Sequence, residues 1–399
     1  MTRTHLRIAD SPAFHFVLTM GFVNLFADMT YEGGASINGP FMGSLGAGAA
    51  LISIVAGLGE FLGYSLRSVS GYFADRTGKH WPITFVGYAI NLLAVPAMAL
   101  ATTWQAAAAL ILAERIGRAI RKPTVEAMLS YSTGKHGKGW VYAVNTAMDE
   151  TGAVLGPLLI AAVLFFRGGE SFRIGYGVLI ITALLALVTL IVARRLFPLP
   201  SRLEEGGPRT AQTKGFTRAY WFYMVAGAFF AAGLMSFELV SYHLSSSGTV
   251  TEHWVPIFLA SATAMSVVAT LILGRLYDRI GILAVVGAVL VAALFSPLVF
   301  LGGFWVALLG LLLWGVGYAT QDTLLKALIA SVLPEGRRNL AFGVFYLGYG
   351  GGWLIGSIAT GLLYDHSRAM LIGFAVVVQL VSIPIFLVAD RLRRRVAKA

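Results

Sequence analysis

Two long apolar stretches of this chain are joined by the charged segment GYFADRTGK, residues 71–79. A second segment, GRLYDRIG at residues 274–281, repeats the pattern G-x-x-x-D-R-x-G and also joins two apolar stretches. The copies lie 274 − 71 = 203 residues apart, about half of the 399-residue chain. A charged turn that recurs once in each half, between stretches long enough to cross a membrane, predicts a transporter made of two related lobes.

The composition also indicates a membrane protein. Hydrophobic residues make up 57% of the chain and charged residues 12%, whereas a soluble domain carries roughly 25% charged residues. Because about 20 apolar residues cross a bilayer core as one helix, we expect twelve membrane helices, the first of them retained rather than cleaved. Their expected ranges are 13–33, 46–70, 81–101, 104–130, 140–166, 174–193, 219–242, 254–276, 280–301, 304–330, 341–363 and 368–388.

Lysine and arginine are distributed unevenly between the loops, which predicts the orientation. Arg167, Arg173 and Arg368 are the few on one side, and most of the others fall on the other side, including both termini. By the positive-inside rule both termini are cytoplasmic and the protein is multi-pass in the inner membrane. The net charge of +11 is explained by this topology, so the bilayer and not a nucleic acid is the expected partner.

The longest polar stretch, Arg194 to Arg218, contains three prolines and three glycines. Such a composition is typical of a flexible linker. We therefore expect an N-terminal lobe at 1–193, a cytoplasmic linker at 194–218 and a C-terminal lobe at 219–399. Internal similarity supports this division, because GAVLG at 152–156 is echoed by GWLIG at 352–356.

The segment at 71–79 resembles the loop between helices 2 and 3 of the major facilitator superfamily, and the one at 274–281 resembles its weaker copy between helices 8 and 9. The resemblance covers essentially the whole chain. It implies an all-α membrane protein with twelve transmembrane helices in two pseudo-symmetric six-helix lobes.

The resemblance also implies that the first segment is a gate, in which Asp75 locks the lobes on the cytoplasmic side at the positive end of helix 11. A carboxylate is favoured at a helix N-terminus. The alternative is a solvated charged loop. The residues assigned to gating are Gly71, Asp75, Arg76 and Gly78, with Asp278 and Arg279 of the second copy.

Span 5 carries Gly152, Gly156 and Pro157. This segment is similar to the antiporter motif of the superfamily, a glycine-rich kink typical of exporters, although Leu158 and Leu159 follow where that motif usually continues toward further glycines. Small residues four apart permit close helix packing and proline bends a helix. Ordinary small-residue packing is the alternative.

Span 4 contains Arg115, Arg118 and Lys122, which share one helix face. Arg115 resembles the arginine that superfamily antiporters keep in helix 4 for proton coupling, although Ala119 stands where that motif usually has glycine. A charged face is too costly to point at lipid, so it faces the cavity, a carboxylate or the cytoplasmic mouth. The alternative places Arg118, Arg121 and Lys122 at the interface.

Acidic residues inside spans are candidates for proton coupling, because burial favours the neutral carboxyl group. The candidates are Asp28 and Glu32 in span 1, Glu60 in span 2, and Asp149 and Glu150 in span 5. Asp28 and Glu150 lead this set. Asp149 shares a face with the glycines of span 5, so packing against another helix is its alternative.

Three further groups receive structural interpretations. Asp322 with Lys326 is expected to form a pair near the cytoplasmic end, and Glu60 with Arg67 another. Glu238, like Glu32, is expected at the outer interface. Six aromatic residues of spans 10 and 11 form either a substrate wall or ordinary packing: Trp314, Tyr318, Phe345, Tyr346, Tyr349 and Trp353.

These patterns predict a proton-coupled secondary transporter, acting as a monomer, that exports a small organic molecule by alternating access. Glycines 350–352 lack the lysine and hydroxyl residue of a phosphate loop, so neither ATP use nor enzymatic activity is expected, and no metal or other cofactor is predicted. Two alternatives remain. The arginines of span 4 suit an importer or exchanger of anionic metabolites, and the carboxylates of span 1 suit a divalent-metal exporter.

Overall fold

The computed structural model describes residues 12–130, 138–168, 171–199, 216–332 and 338–396. Within these residues the chain folds into twelve long helical rods, as predicted. The rods are α1 Pro12–Ser44, α2 Ala49–Thr77, α3 His80–Leu100, α4 Trp104–Ser130, α5 Lys138–Arg167, α6 Phe172–Leu196, α7 Arg218–Ser246, α8 Trp254–Ile280, α9 Ile282–Leu301, α10 Phe304–Ala330, α11 Arg338–His366 and α12 Arg368–Val396.

Ten of these rods are long and apolar enough to cross a membrane. The other two are α4, which carries several charged residues, and α11, which is rich in glycine and tyrosine. The prediction of an all-α membrane protein is confirmed. The rod α1 extends to Ser44, well beyond its predicted end at residue 33, because its last turns are buried. There the backbone at Gly39 lies against the carbonyl of Glu238 in α7, where a side chain would not fit.

The two lobes are built on the same close backbone contact. In the first lobe α5 packs on α1, where a Cβ atom at Gly156 would overlap the carbonyl oxygen of Met29. In the second lobe α11 packs on α7, and a Cβ atom at Gly356 would overlap the carbonyl oxygen of Ala232. The glycines one turn earlier in each rod make equivalent contacts. The internal sequence similarity therefore corresponds to a repeated helix–helix interface.

Both copies of the repeated segment end a rod with a glycine in the left-handed region. Gly78 has φ 63° and donates its N–H to the carbonyl of Ala74, at the end of α2. Gly281 has φ 61° and donates to the carbonyl of Tyr277, at the end of α8. Glycine adopts this conformation without the strain of a Cβ atom. Since both segments follow even-numbered rods, they lie at one end of the molecule, here called the signature end.

The lobes meet toward the other end, here called the opposite end, where residues 45–48 and 247–253 connect rods. Ser53 of α2 donates its hydroxyl to the carbonyl of Ser357 in α11, at 2.7 Å. A Cβ atom at Gly57 would overlap the side chain of Ser357. One turn along α11, a Cβ atom at Gly361 would lie 2.9 Å from Cα of Ala50. Small residues thus let α2 and α11 approach closely there.

The boundaries between the lobes remain predictions. Helix α6 continues to Leu196, past the predicted linker start at residue 194, and α7 begins at Arg218. Most of the linker, residues 200–215, lies outside the described residues. The side chain of Asp75 is also outside them, although its backbone belongs to the last turn of α2.

Candidate functional site

Arg115 of α4 is surrounded by three carboxylates. Its Nη1 lies 2.7 Å from Oε1 of Glu60 in α2. Its Nη2 donates to Oε1 of Glu238 in α7 at 3.2 Å, and its Nε lies 3.2 Å from Oε2 of the neighbouring Glu114. Only 11% of the Arg115 side chain is exposed. This group, called the Arg115 cluster, joins α2 and α4 of the first lobe to α7 of the second.

Glu238 owes its position to a break in α7. Met235 has φ 58°, which is unusual for a residue other than glycine, and it separates the segments Arg218–Leu234 and Phe237–Ser246. Glu238 lies in the first turn of the second segment, where the helix dipole favours an anion. It is 4% exposed. The expectation that Glu238 lies at the outer interface is wrong, because it belongs to the buried Arg115 cluster.

Glu60 does not pair with Arg67 as expected from their shared face. Its partner is Arg115, while the guanidinium of Arg67 lies 4.9 Å from the ring centroid of Tyr64. The pair of Asp322 and Lys326 does form, at 3.1 Å. The predicted Asp322–Lys326 pair is therefore confirmed; its two residues lie one turn apart on the same helix.

Arg121 is the second buried arginine of α4, with 5% of its surface exposed. Its Nη2 lies 3.7 Å from Oδ1 of Asp28, and its Nε donates to Oδ1 of Asn91 at 3.1 Å. The guanidinium also covers the ring of Tyr88, 4.5 Å from its centroid. The interfacial position considered for Arg121 is therefore wrong. Arg118 also points inward and donates to the hydroxyl of Tyr31 at 3.1 Å.

The charge of Asp149 acts on Asp28 across the interface of α1 and α5. Asp28 is 7% exposed, and Oδ1 of Asp149 is buried without a hydrogen-bond partner. Gly152 lies beside them, where a Cβ atom would be 3.1 Å from Cβ of Asp28. Two carboxylates in a water-poor site repel each other unless one binds a proton. We call Asp28 and Asp149 the carboxylate pair.

The other acidic candidates, Glu32 and Glu150, are half-buried. The charges of Arg118 and Asp28 act on Glu32, and those of Asp322 and Asp28 act on Glu150. The structure thus brings Asp28, Glu32, Asp149 and Glu150 into one electrostatic neighbourhood. Glu60 and Arg115 lie in the neighbouring Arg115 cluster. Within the described ranges, no three His, Cys, Asp or Glu residues are grouped so that they could hold a metal ion.

A polar bridge between the lobes was not predicted. Gln321 lies in a π-helical segment of α10, Thr320–Leu325. Its amide donates to the hydroxyl of Tyr64 in α2 at 2.6 Å and accepts from the hydroxyl of Tyr349 in α11 at 2.7 Å. Such π-helical segments are rare and occur frequently at functional sites.

The aromatic residues of α10 and α11 have mixed roles. Trp314 donates its indole N–H to the carbonyls of Leu234 and Met235, at 3.0 and 3.2 Å, and so stabilises the break in α7. Tyr318 is half-buried, 4.2 Å from Trp314 between ring centroids. Trp353 is 1% exposed, and its Nε1 is buried without a hydrogen-bond partner. Structural packing accounts for the position of Trp314. It does not account for the indole N–H of Trp353, which is buried without a hydrogen-bond partner.

Sequence reasoning missed Glu114, Asn91, Tyr88 and Tyr31. One signal was available, because Glu114 and Arg121 are seven residues apart and share a face of α4. Asn91 receives its role from the packing of α3 on α4, where it donates to Oε1 of Glu114 at 2.8 Å. No pattern within one helix specifies such a partner.

Comparison with known proteins gives a consistent result. A family model described as Major Facilitator Superfamily matches residues 17–325 and 253–399. The uncharacterized protein Rv2265 of Mycobacterium tuberculosis is 33% identical over 387 residues, covering 96% of this chain and 94% of that protein. Multidrug resistance protein MdtH of Photorhabdus laumondii is 24% identical over 344 residues, covering 83% and 82%. A crystal structure of a mutant nucleoside transporter NupG has TM-score 0.76 at 12% identity, covering 93% and 100%.

Proposed function

The chain belongs to the major facilitator superfamily, and we propose that it is a proton-coupled secondary transporter that exports a small organic molecule. It acts as a monomer in the inner membrane and alternates between two states. The observation that supports this most strongly is the carboxylate pair, because two acids lie close together in a buried site and an oxygen of Asp149 has no hydrogen-bond partner there, an arrangement that favours the uptake of a proton.

Proton coupling requires an acid whose protonation changes contacts between helices. Asp28 lies 3.7 Å from Arg121, a distance that is long for an ion pair. A proton on the carboxylate pair weakens this attraction and frees α1 relative to α4. Asp28 and Glu150 remain the leading coupling residues, and Asp149 joins them through its unpartnered oxygen.

Export is supported by two similarities. The glycines of α5 resemble part of the antiporter motif and pack directly on α1, the rod that carries Asp28. The relative MdtH is described as a multidrug resistance protein. A transporter that takes up protons from outside while its substrate leaves the cell accounts for both features.

The test is proton movement in proteoliposomes. Purified protein is reconstituted in vesicles with a trapped pH-sensitive dye and an acidic interior, and phenylguanidine, ethidium and benzoate are added separately outside. We expect at least one solute to drive protons out of the vesicles. Absence of proton movement with all three solutes, together with counterflow of benzoate, would support the anion-exchange alternative instead.

The anion-exchange alternative rests on the arginines of α4. Arg115 is already matched by carboxylates, and Arg118 and Arg121 contact tyrosine rings or Asp28. These contacts leave little positive charge for an anionic substrate, so we prefer the proton-coupled exporter.

The proposed orientation makes the signature end cytoplasmic. Reporter fusions after Lys79, Lys214 and Lys398 are then expected to read cytoplasmic, and a fusion within residues 245–248 to read periplasmic, because lysine and arginine are retained inside. Alkaline phosphatase and fluorescent-protein fusions measure this directly. A periplasmic result at Lys214 would contradict the two-lobe arrangement.

The repeated segments are proposed to gate the signature end. Both end in left-handed glycines that fix the turn, and Arg76 is exposed there, donating to the hydroxyl of Tyr72 at 3.3 Å. Asp75→Asn is expected to leave the protein in the membrane but to slow transport, through weaker closure of this end. Labelling of single cysteines introduced in the cytoplasmic half of the cavity measures closure. Unchanged labelling with full transport would make Asp75 a solvated charge.

A further inference from the structure

We propose that the seat between Glu60 and Glu238, filled here by the guanidinium of Arg115, is the site that takes the positively charged group of the substrate, so that the transported molecules are organic cations. This inference rests on the proposed transport function and adds the substrate class. The seat lies between the lobes, because Glu60 belongs to α2 and Glu238 to α7.

The first argument is the charge balance of the Arg115 cluster. Three carboxylates with a formal charge of −3 surround one guanidinium of +1, which leaves −3 + 1 = −2; the charge of Arg118, which acts on Arg115 and Glu114 from nearby, reduces this excess without reversing it. The side chains of Glu60 and Glu238 are only 17% and 5% exposed, so water screens this excess poorly. A buried negative excess attracts further positive charge, either protons or a cationic ligand.

The second argument is that Arg115 has another partner when it leaves the seat. Glu114 stands beside it on α4, with Oε2 3.2 Å from Nε of Arg115. The other oxygen of Glu114 is held by the amide of Asn91 at 2.8 Å. Glu114 is therefore a fixed negative charge beside Arg115, although Nε of Arg115 makes no hydrogen bond here, and it can balance Arg115 while a substrate cation bridges Glu60 and Glu238. Arg115 then acts as a tethered competitor for the seat.

The third argument is the aromatic surface next to the seat. Tyr318 lies close enough to Glu60, Glu238 and Arg115 for their charges to act on its hydroxyl. Its ring is 4.2 Å from that of Trp314 and 5.9 Å from that of Trp353, whose buried indole nitrogen has no partner. Carboxylates beside tryptophan and tyrosine rings form an environment that binds organic cations.

The exchange also explains how such a substrate can move the lobes. In the present state one guanidinium bonds to both Glu60 and Glu238 and so ties α2 to α7. A substrate cation replaces this internal tie with one that can dissociate. After the substrate leaves, Arg115 returns and restores the contact.

The experiment compares phenylguanidine, which carries the same cationic group as arginine on an aromatic ring, with benzoate, an anion on the same ring. Binding to the purified protein in detergent is measured by saturation-transfer NMR and by the rise in unfolding temperature. We expect saturable binding of phenylguanidine and none of benzoate. Binding of benzoate but not phenylguanidine, or of neither, would overturn the proposal.

Four variants locate the binding. Glu60→Gln and Glu238→Gln are expected to weaken phenylguanidine binding about tenfold or more, because each removes one buried charge partner. Glu126→Gln changes an exposed glutamate of the same helix α4, three turns from Arg115, and is the matched control, with unchanged affinity. Arg115→Lys is expected to tighten binding, because a single ammonium nitrogen lacks the planar fork whose two separate nitrogens reach Glu60 and Glu238, and lysine is therefore the poorer competitor. Unchanged affinity in both seat variants, or weaker binding in Arg115→Lys, would contradict the assignment.

The outcome is separable from that of the transport proposal, because binding in detergent at one pH needs no gradient. Binding with the expected variant pattern but without proton movement in vesicles would retain the cation seat and reject proton coupling. Proton movement driven by other solutes, without phenylguanidine binding, would retain proton coupling and reject the cation seat. Each variant is compared with its own ligand-free unfolding temperature, so loss of fold is distinguished from loss of binding.

Discussion

Asp28→Asn is expected to reduce pH-driven uphill transport to background while leaving downhill exchange. The asparagine side chain has nearly the shape of a protonated aspartate, so the variant mimics the proton-loaded form of the carboxylate pair. The asparagine cannot release a proton, so a pH gradient can no longer drive substrate transport through this residue. Parallel assays of uphill accumulation and of exchange in the same proteoliposomes measure the two activities separately.

The control for Asp28→Asn is Glu126→Gln, which neutralises an exposed acid and is expected to transport normally. Asp149→Asn and Glu150→Gln test whether one of the other two carboxylates carries the coupling proton. If Asp28→Asn still accumulates substrate uphill while Glu150→Gln does not, the coupling residue is Glu150. Full uphill transport in all three variants would reject the carboxylate pair as the proton site.

Gly57→Val is expected to hold the lobes apart at the opposite end and to stop transport. A side chain at residue 57 would overlap Ser357 of the other lobe. Overpacking costs about 1–3 kcal/mol, and each 1.4 kcal/mol shifts an equilibrium about tenfold. The close approach of α2 and α11 is therefore disfavoured strongly, although each lobe keeps its own packing.

The measurement uses Ser53→Cys, because Ser53 is 1% exposed beside Ser357 and the chain has no cysteine of its own. A membrane-impermeant maleimide is expected to label this cysteine much faster in the Gly57→Val background. Gly63→Val, on the same rod, is the matched control, since nothing lies within 4 Å of a Cβ atom there. Ser357→Gly removes the overlapping atoms and is expected to restore closure in the Gly57→Val protein. Fast labelling that persists in this double variant would reject the steric explanation.

The fold could be predicted because its signals are local. Apolar length predicts the rods, and the repeated turns depend on glycines that the structure places at positive φ. The predicted end of α1 at residue 33 was too early, because it followed from a span of about 20 residues. The structure continues α1 to Ser44, since its last turns are buried and contact α7.

The partners of the charged residues could be predicted only where they are close in sequence. Asp322 and Lys326 are one turn apart, which brings their side chains together. Glu60 and Arg67 share a face, but seven residues rise about 10 Å along a helix, so they do not meet. The partner of Arg115 across the lobes, Glu238, is 123 residues away and becomes available only through the break in α7.

The burial of Arg121 shows why an interface position was considered and why it was wrong. Counting along α4 places it near the end of a span, where a charge is inexpensive. In the structure α3 and α4 come into backbone contact, because both Gly87 and Gly117 lack side chains. This contact brings Asn91 and Tyr88 of α3 onto Arg121. The position of a charged residue thus depended on how closely two other helices pack.

The backbone contacts of α5 on α1 and of α11 on α7 have a mechanical consequence. Where main chains touch directly, no flexible side chains lie between them to be rearranged, so each lobe is stiff along that contact. Movement is then expected mainly at the contacts between the lobes, which include polar and small-residue contacts. In the proposed transport cycle, a proton or substrate that alters a single ion pair is therefore expected to rotate half the protein as a unit instead of repacking side chains locally.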